Sequence, residues 1–437
     1  MSAQSVTDKS GPGAGARDDA SADMARPPGR STATARVPTS SSRRPLRLGR
    51  RAGARRHRSR GYRRARAVVL LLLAVFMVLV SISLGSALTN PSDGTSIGAR
   101  FAEWARTHGG ASIVRWAEKE WYSHHQPPVG GRPVKGALVV PSSTTTTPAT
   151  SVPVAQLPAP GPMRPLASPA LPGEGQWTPT GRLVDGVPAV YETRLRPDAI
   201  HTSQVVGVAW MDTKLLKATL YSGSQIPGGG PYSHTAPVST TAATTLVAAF
   251  NAGFLMTTAQ GGYYTDGRMV DPLRTGAASV VIYKDGTVTV GQWGSGLTMT
   301  PDVAAVRQNL DLLVQNGAAV PGLDATTTTR WGNTLGNQVF VARSALGVTA
   351  DGALVYVGGP SLNITDLANL LVDAGVVTGM ELDINTDWVN LSTYAPPTPS
   401  GAATSMNGTE LVPTMVGTPG RYFEPWWARD FFTMSAR

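Results

Sequence analysis

An α+β class is expected for this chain: a β-rich, mixed-sheet outer domain with a few helices, joined to one transmembrane helix. Three observations carry that expectation. An uncharged apolar run from Ala67 to Leu88 stands directly behind about a dozen arginines between Arg43 and Arg66. Beyond Gln176, short runs rich in β-branched and aromatic residues recur, and two of them bend at Asp-Gly. Only two stretches of that region repeat apolar residues at spacings of three and four.

The apolar run comes first. At ~1.5 Å per residue it is long enough to cross a ~30 Å hydrocarbon core, and the basic flank places residues 1–66 in the cytoplasm. Everything that follows is then extracytoplasmic, on a single-pass protein of the cell membrane. A long tail ahead of the run, with no small-residue cleavage site behind it, favours an uncleaved anchor over a signal peptide. The first partner implied is the lipid bilayer.

Charge follows the same division. The whole chain carries 38 Lys and Arg against 28 Asp and Glu, a formal charge of +10, which alone suggests a polyanion partner. Residues 1–66 hold 17 basic and 4 acidic groups, leaving 21 basic and 24 acidic for the rest. The outer part is therefore slightly acidic, and no nucleic-acid partner is expected. The tail has one aromatic residue, Tyr62, on which a base could stack.

Residues 1–66 read as a disordered, arginine-rich cytoplasmic tail and residues 67–88 as the transmembrane helix. Residues 98–126 read as an amphipathic membrane-proximal segment, lying on the outer leaflet or packed on the distal domain, in which Phe101, Trp104, Ile113, Trp116 and Trp121 interleave with charges around Gly109-Gly110. Residues 127–175 are rich in Pro, Thr, Ser and Ala and read as an extended stalk. Residues 176–437 are the working domain. The chain has no cysteine, which excludes disulfides, thiol catalysis and thiolate metal sites.

Within that domain Ala189–Leu195, Val205–Met211, Leu216–Gly223, Ala278–Trp293 and Ala342–Gly359 are strand material. The last two carry hairpin turns at Asp285-Gly286 and Asp351-Gly352. Val303–Asn316 and Thr365–Asp373 are expected to be helical. The second opens on a capping Thr and stops at Gly375.

No G-x-S-x-G, H-E-x-x-H or Walker string is present, and only His201 and His234 of the six histidines fall in the domain. A multi-histidine metal site is thus not expected, no cofactor is evident, and a divalent metal requirement stays open. What remains is polar residues at the ends of apolar strands. Asn251 and Gly253 follow the apolar LVAAF, Arg343 opens a hairpin, and Glu381 and Asp383 alternate with apolar residues on one face of a strand. One at a time, each has a bland reading as a turn residue or a structural ion pair.

Their order is more telling. FNAGF, then ARSALG with a following Asp-Gly hairpin, then a Thr-capped helix, then MELDIN, and finally Arg429-Asp430-Phe431, resembles the phosphodiester glycosidase family. The family shows N-G-G-F, R-[ST]-A-x-G and L-D-G-G-G-S at the matching places. The resemblance implies hydrolysis of a sugar 1-phosphodiester, on a phosphorylated glycan or glycopolymer of the wall or envelope, with Asp383, Arg343 and Asn251 as catalytic residues. Arg343 would hold the phosphate and Asp383 would activate water or stabilise an oxocarbenium ion. Gly253, Glu381, Asn385 and Asp387 would contact substrate, and strand spacing alone offers Glu381, two residues before Asp383, as a second carboxylate. Ala252 replaces a family glycine, and Ile384-Asn385-Thr386-Asp387 replaces the glycines and Ser after Asp383. The alternative is a non-catalytic envelope binding or scaffold protein with a degenerate site.

Overall fold

The computed structural model describes residues 53–94, 96–141, 155–323, 330–331 and 340–437. Most of the expected cytoplasmic tail and the middle of the expected stalk, 142–154, lie outside the described residues. The chain divides into two compact units, Met1–Leu71 and Leu72–Arg437.

Helix α1 runs Gly53–Thr89, and its stretch Gly61–Thr89 is long and apolar enough to cross a membrane. Its start corrects the expected tail boundary, because residues 53–66 are helical. Ala and Arg are good helix formers, and extending a helix already nucleated costs little. Helix α2, Ile97–Ala105, and helix α3, Ala111–His124, follow as a hairpin kinked at His108 and Gly109, where Gly109 has φ +85°. Ser96 caps α2 by accepting from the Ala99 amide at 3.1 Å.

Three sheets build the rest, and every named ladder among the described residues is antiparallel, with parallel contact confined to two isolated bridges. The largest has eight strands, with Val206–Met211, Leu354–Leu362, Val341–Thr349 and Val376–Glu381 at its centre. A five-stranded sheet orders Gly408–Glu410, Leu391–Tyr394, Leu246–Asn251, Phe431–Ala436 and Leu216–Tyr221. The third centres on Val303–Gln308 and Ala278–Tyr283. One core draws on all three: Met211 and Leu346, Phe250 and Phe432, and Val280 and Ile282 belong to a single buried cluster. The other face of the large sheet is covered by helix α5, Ile364–Asp373 (α4 being the single turn Thr240–Ala243), through Leu367, Ala368, Leu370 and Leu371. A sheet covered on both faces explains strands such as VGVAWM, buried at every position.

Both Asp-Gly hairpins form, with Gly286 at φ +81° and Gly352 at φ +93°. The second expected helix also forms, although its cap is Asn363, whose Oδ1 accepts from the Asp366 amide at 2.8 Å, rather than Thr365. The first does not. Val303–Asn316 is two strands, Val303–Gln308 and Leu312–Gln315, which serve different sheets. Its apolar spacing fits a helix by accident of the bend between them, where Leu310 adopts φ +54° and Asn309 turns into the interior. Pairing with strands on both sides overrides a weak local preference.

The stalk also needs correction. Leu138, Leu157, Met163 and Ala167 are buried, the Leu157 amide donates to Asp212 Oδ2 at 2.7 Å, and Arg196 binds Glu174 at 2.8 Å. Residues 155–175 are part of the folded domain. Their prolines lower the entropy lost on laying the chain against the sheet, and their few apolar side chains supply the contact.

Candidate active site

Strand ends converge on one place. Asn251 closes Leu246–Asn251, Glu381 closes Val376–Glu381, and Arg429 and Asp430 immediately precede Phe431–Ala436. Ser344 joins them. Its Oγ donates to Asp383 O at 3.0 Å and accepts from the Asp383 amide at 3.1 Å and from Asn251 Nδ2 at 2.9 Å. Asn251 Oδ1 accepts from Tyr356 Oη at 2.8 Å and the Asn390 amide at 3.1 Å. Asn251 is thus spent on fixing the backbone of the site, its hydrogen bonds going to Ala252, Ser344, Tyr356 and Asn390.

Asp383 is the carboxylate at the cavity. One oxygen accepts from the Ile384 and Asn385 amides at 2.7 and 3.1 Å, and the other lies 3.1 Å from Arg429 Nη2. Burial raises its pKa above the ordinary aspartate value, against the opposing pull of Arg429 and the two amides. Arg429 stacks over Trp388, with its guanidinium carbon 4.8 Å from the ring centroid. Its Nε is buried and has no partner among the described residues.

Asp383, Ile384, Asn385, Trp388 and Arg429 line a cavity of about 220 Å³, completed by Phe254, Leu255, Thr258 and Val341 and by Glu103, Arg106, Ala111 and Glu118 of the α2–α3 hairpin. A larger groove of about 890 Å³ lies elsewhere, around Lys217, His234, Tyr264 and Lys284. It contains none of the converging residues, and the smaller cavity holds the paired charges that chemistry needs.

Arg343 is not on that cavity. Adjacent strand residues face opposite ways, so where Ser344 looks to Asn251, Arg343 looks to Glu381, 2.6 Å away, and to Leu362 O, 2.9 Å away. Both side chains of this ion pair are fully buried, and burial lifts Glu381 to about 7 despite the guanidinium. Asn309 closes the back of the site. Its Nδ2 donates to Glu381 O and Leu382 O, both at 2.9 Å, and its Oδ1 accepts from the Phe254 amide at 3.0 Å. A Cβ on Gly253 would fall 2.8 Å from Asn309 Oδ1, so this glycine makes room for Asn309 and not for a ligand. Asn385 lines the cavity, whereas Asp387 accepts the Arg421 guanidinium on its carbonyl at 3.1 Å and does not line it.

The residues missed from sequence are Arg429, Trp388, Ser344 and Asn309. Arg429-Asp430 before an apolar strand repeats the polar-at-strand-end signature of Asn251 and Asp383, and it could have been found by that rule. Asp430 is itself held at 2.6 Å by the buried Arg307. No group of three or more His, Asp or Glu suited to a metal ion occurs among the described residues.

Residues 244–383 match the phosphodiester glycosidase family. No curated protein matches the chain. Among solved structures the chain is similar to the catalytic domain of zebrafish N-acetylglucosamine-1-phosphodiester alpha-N-acetylglucosaminidase, auto-inhibited by its pro-peptide, at 16% identity over 60% of this chain and 88% of that one, TM-score 0.38. A hypothetical protein from Synechocystis is similar at 11% identity over 58% of this chain and 63% of that one, TM-score 0.33. A protein of Burkholderia pseudomallei described as exported is similar at 12% identity over 53% and 74%, TM-score 0.26. None of these scores is high enough to carry a residue's role across. The matched residues 244–383 contain FNAGF, ARSALG and the start of MELDIN, the motifs whose order resembles that family.

Proposed function

We propose that this chain is a membrane-anchored extracytoplasmic hydrolase of sugar 1-phosphodiesters in the cell envelope. The observation that carries the reading is the buried Asp383–Arg429 pair on the cavity wall, with a donor of Arg429 left unpartnered among the described residues. A carboxylate whose pKa is raised can take a proton from water, and a guanidinium with donors to spare can hold a phosphate. Water would add to the anomeric carbon as the bond from that carbon to the phosphate oxygen breaks. A phosphate leaves readily, so less depends on a general acid than in an ordinary glycosidase. Arg429 replaces Arg343 as the phosphate residue in this account. Arg343, Glu381, Asn251 and Ser344 become positioning residues that fix the strand end from which Asp383 projects.

Asp383→Asn is expected to lower turnover of a sugar 1-phosphodiester by about 10²-fold or more, with little change in melting temperature. Absence of phosphate monoester release by the wild type across a panel of such esters defeats the reading. The second reading, a binding or scaffold protein, is favoured by one observation: the branched side chain of Ile384 lines the cavity where the family has glycine. Ile384→Gly would then create activity that the wild type lacks.

A further inference from the structure

The α2–α3 hairpin has its polarity reversed. On a helix packed against a soluble domain the apolar stripe faces inward and the charges face water. Here Glu103, Arg106 and Glu118 turn inward to the cavity, with Arg106 bonded to both carboxylates. On the opposite face Ile97, Phe101, Ile113, Trp116 and Trp121 stand out with half or more of their surface exposed, Ile113 at 69% and Trp116 at 63%. An apolar face of this kind, rich in Trp, is what lies in the interfacial layer of a bilayer.

The hairpin's place supplies the occupant. Trp104 Nε1 donates to Ser83 Oγ at 3.0 Å, and His108 Nε2 lies 3.2 Å from the same oxygen, so α2 is fastened to the apolar span six residues before its end at Thr89. Arg100 Nη1 donates to Leu88 O at 3.0 Å. On the other side Ser92 Oγ donates to Trp426 O at 2.7 Å, tying the junction to the domain. A span that sits in lipid therefore brings the exposed face of the hairpin to the surface of that lipid, with the cavity on the hairpin's other face.

We propose that the substrate is a glycosyl phosphodiester of a long-chain alcohol, whose chain stays in the outer leaflet while the sugar and phosphate enter the cavity past the hairpin. This narrows the hydrolase reading above and rests on it. The balance is simple. The anomeric C–O bond breaks, the oxygen of water joins the anomeric carbon, and one proton of that water passes through Asp383 to solvent. Free sugar leaves, and the phosphate monoester remains on the lipid.

The test uses the full chain in vesicles of phosphatidylethanolamine and phosphatidylglycerol, with two esters of one sugar phosphate, a long-chain and a methyl ester. The long-chain ester should turn over about 10-fold faster or more, and Trp116→Ser with Trp121→Ser should lower that ratio about 5-fold, since lost interfacial contact weakens capture from the leaflet. The same double variant should lose the part of the tryptophan fluorescence that acyl-brominated lipid quenches. Equal turnover of the two esters overturns the proposal and leaves the hydrolase reading standing, and so does wild-type fluorescence that brominated lipid does not quench. A rise in methyl-ester turnover on Arg106→Ala also overturns it, because the hairpin is then a plug and not a wall. Hydrolysis of neither ester removes the hydrolase reading and this proposal with it.

Discussion

Helix α5 and the α2–α3 hairpin are both amphipathic, yet they use their apolar faces in opposite ways. In α5, Ile364, Leu367, Leu370 and Leu371 are buried against the eight-stranded sheet, while Asn369 faces out. In the hairpin Ile97, Phe101, Ile113, Trp116 and Trp121 are exposed, and Glu103, Arg106 and Glu118 face the cavity. Periodicity states only that a helix has two faces. What lies on each side decides which face is buried, and for the hairpin one side meets the cavity that holds the Asp383–Arg429 pair and the other is continuous with an apolar span.

The largest effect that would sharpen this comparison is a truncation in α5. Leu370→Ala should destabilise the domain by about 2–5 kcal/mol, because it leaves a cavity between helix and sheet. Ile113→Ala in the hairpin should change stability by less than about 0.5 kcal/mol in detergent, where its face has no protein partner. Chemical denaturation of the two variants checks this, and equal losses would mean that the hairpin's apolar face is packed on protein.

A smaller effect comes from Asp366 in the first turn of α5. Burial raises its carboxyl to about 7, with Asp198 adding to the rise and His201 opposing it. The native state then holds a proton that the unfolded chain has given up between pH ~4 and ~7. Its favourable contribution is complete below the unfolded value and is lost as pH rises to about 7, so melting temperature should fall from pH 5 to pH 8. Asp366→Asn should flatten that slope by roughly 2 kcal/mol, discounted for partial exposure. An unchanged slope would show that the group titrates normally.

The smallest contrast is in the caps. Asn363→Ala should cost about 1 kcal/mol, since its helix is docked on the core, and Ser96→Ala should cost about half that on the exposed α2. Thermal melts of the pair decide it, and a larger cost for Ser96 would reverse the ranking of the two helices.

What was legible depended on how local the cause was. The hairpins at Asp285-Gly286 and Asp351-Gly352 followed from dipeptides that adopt positive φ at little cost, and α5 followed from a strong stripe with a stop at Gly375. Arg343 and Asp383 were found because polar residues interrupted apolar strands, but the side of the strand to which Arg343 turns was not. Which of Arg343 and Arg429 reaches the cavity depends on strand facing and on a partner 38 residues away in Glu381, and nothing local encodes that. Asn309 was lost because its segment read as helix.

The sequence by itself determined the apolar span with its basic flank, the β-rich class, the turns and the order of motifs that resembles the phosphodiester glycosidase family. Each rests on composition or on contacts between near neighbours in the chain. Only the tertiary structure decided that 303–316 is two strands, that residues 155–175 belong to the domain, that Arg429 and not Arg343 faces the cavity beside Asp383, and that a charged hairpin face completes that cavity. Those outcomes depend on pairing and burial between distant segments, where the cost of an unpaired strand edge or an unpaired buried charge outweighs local preference.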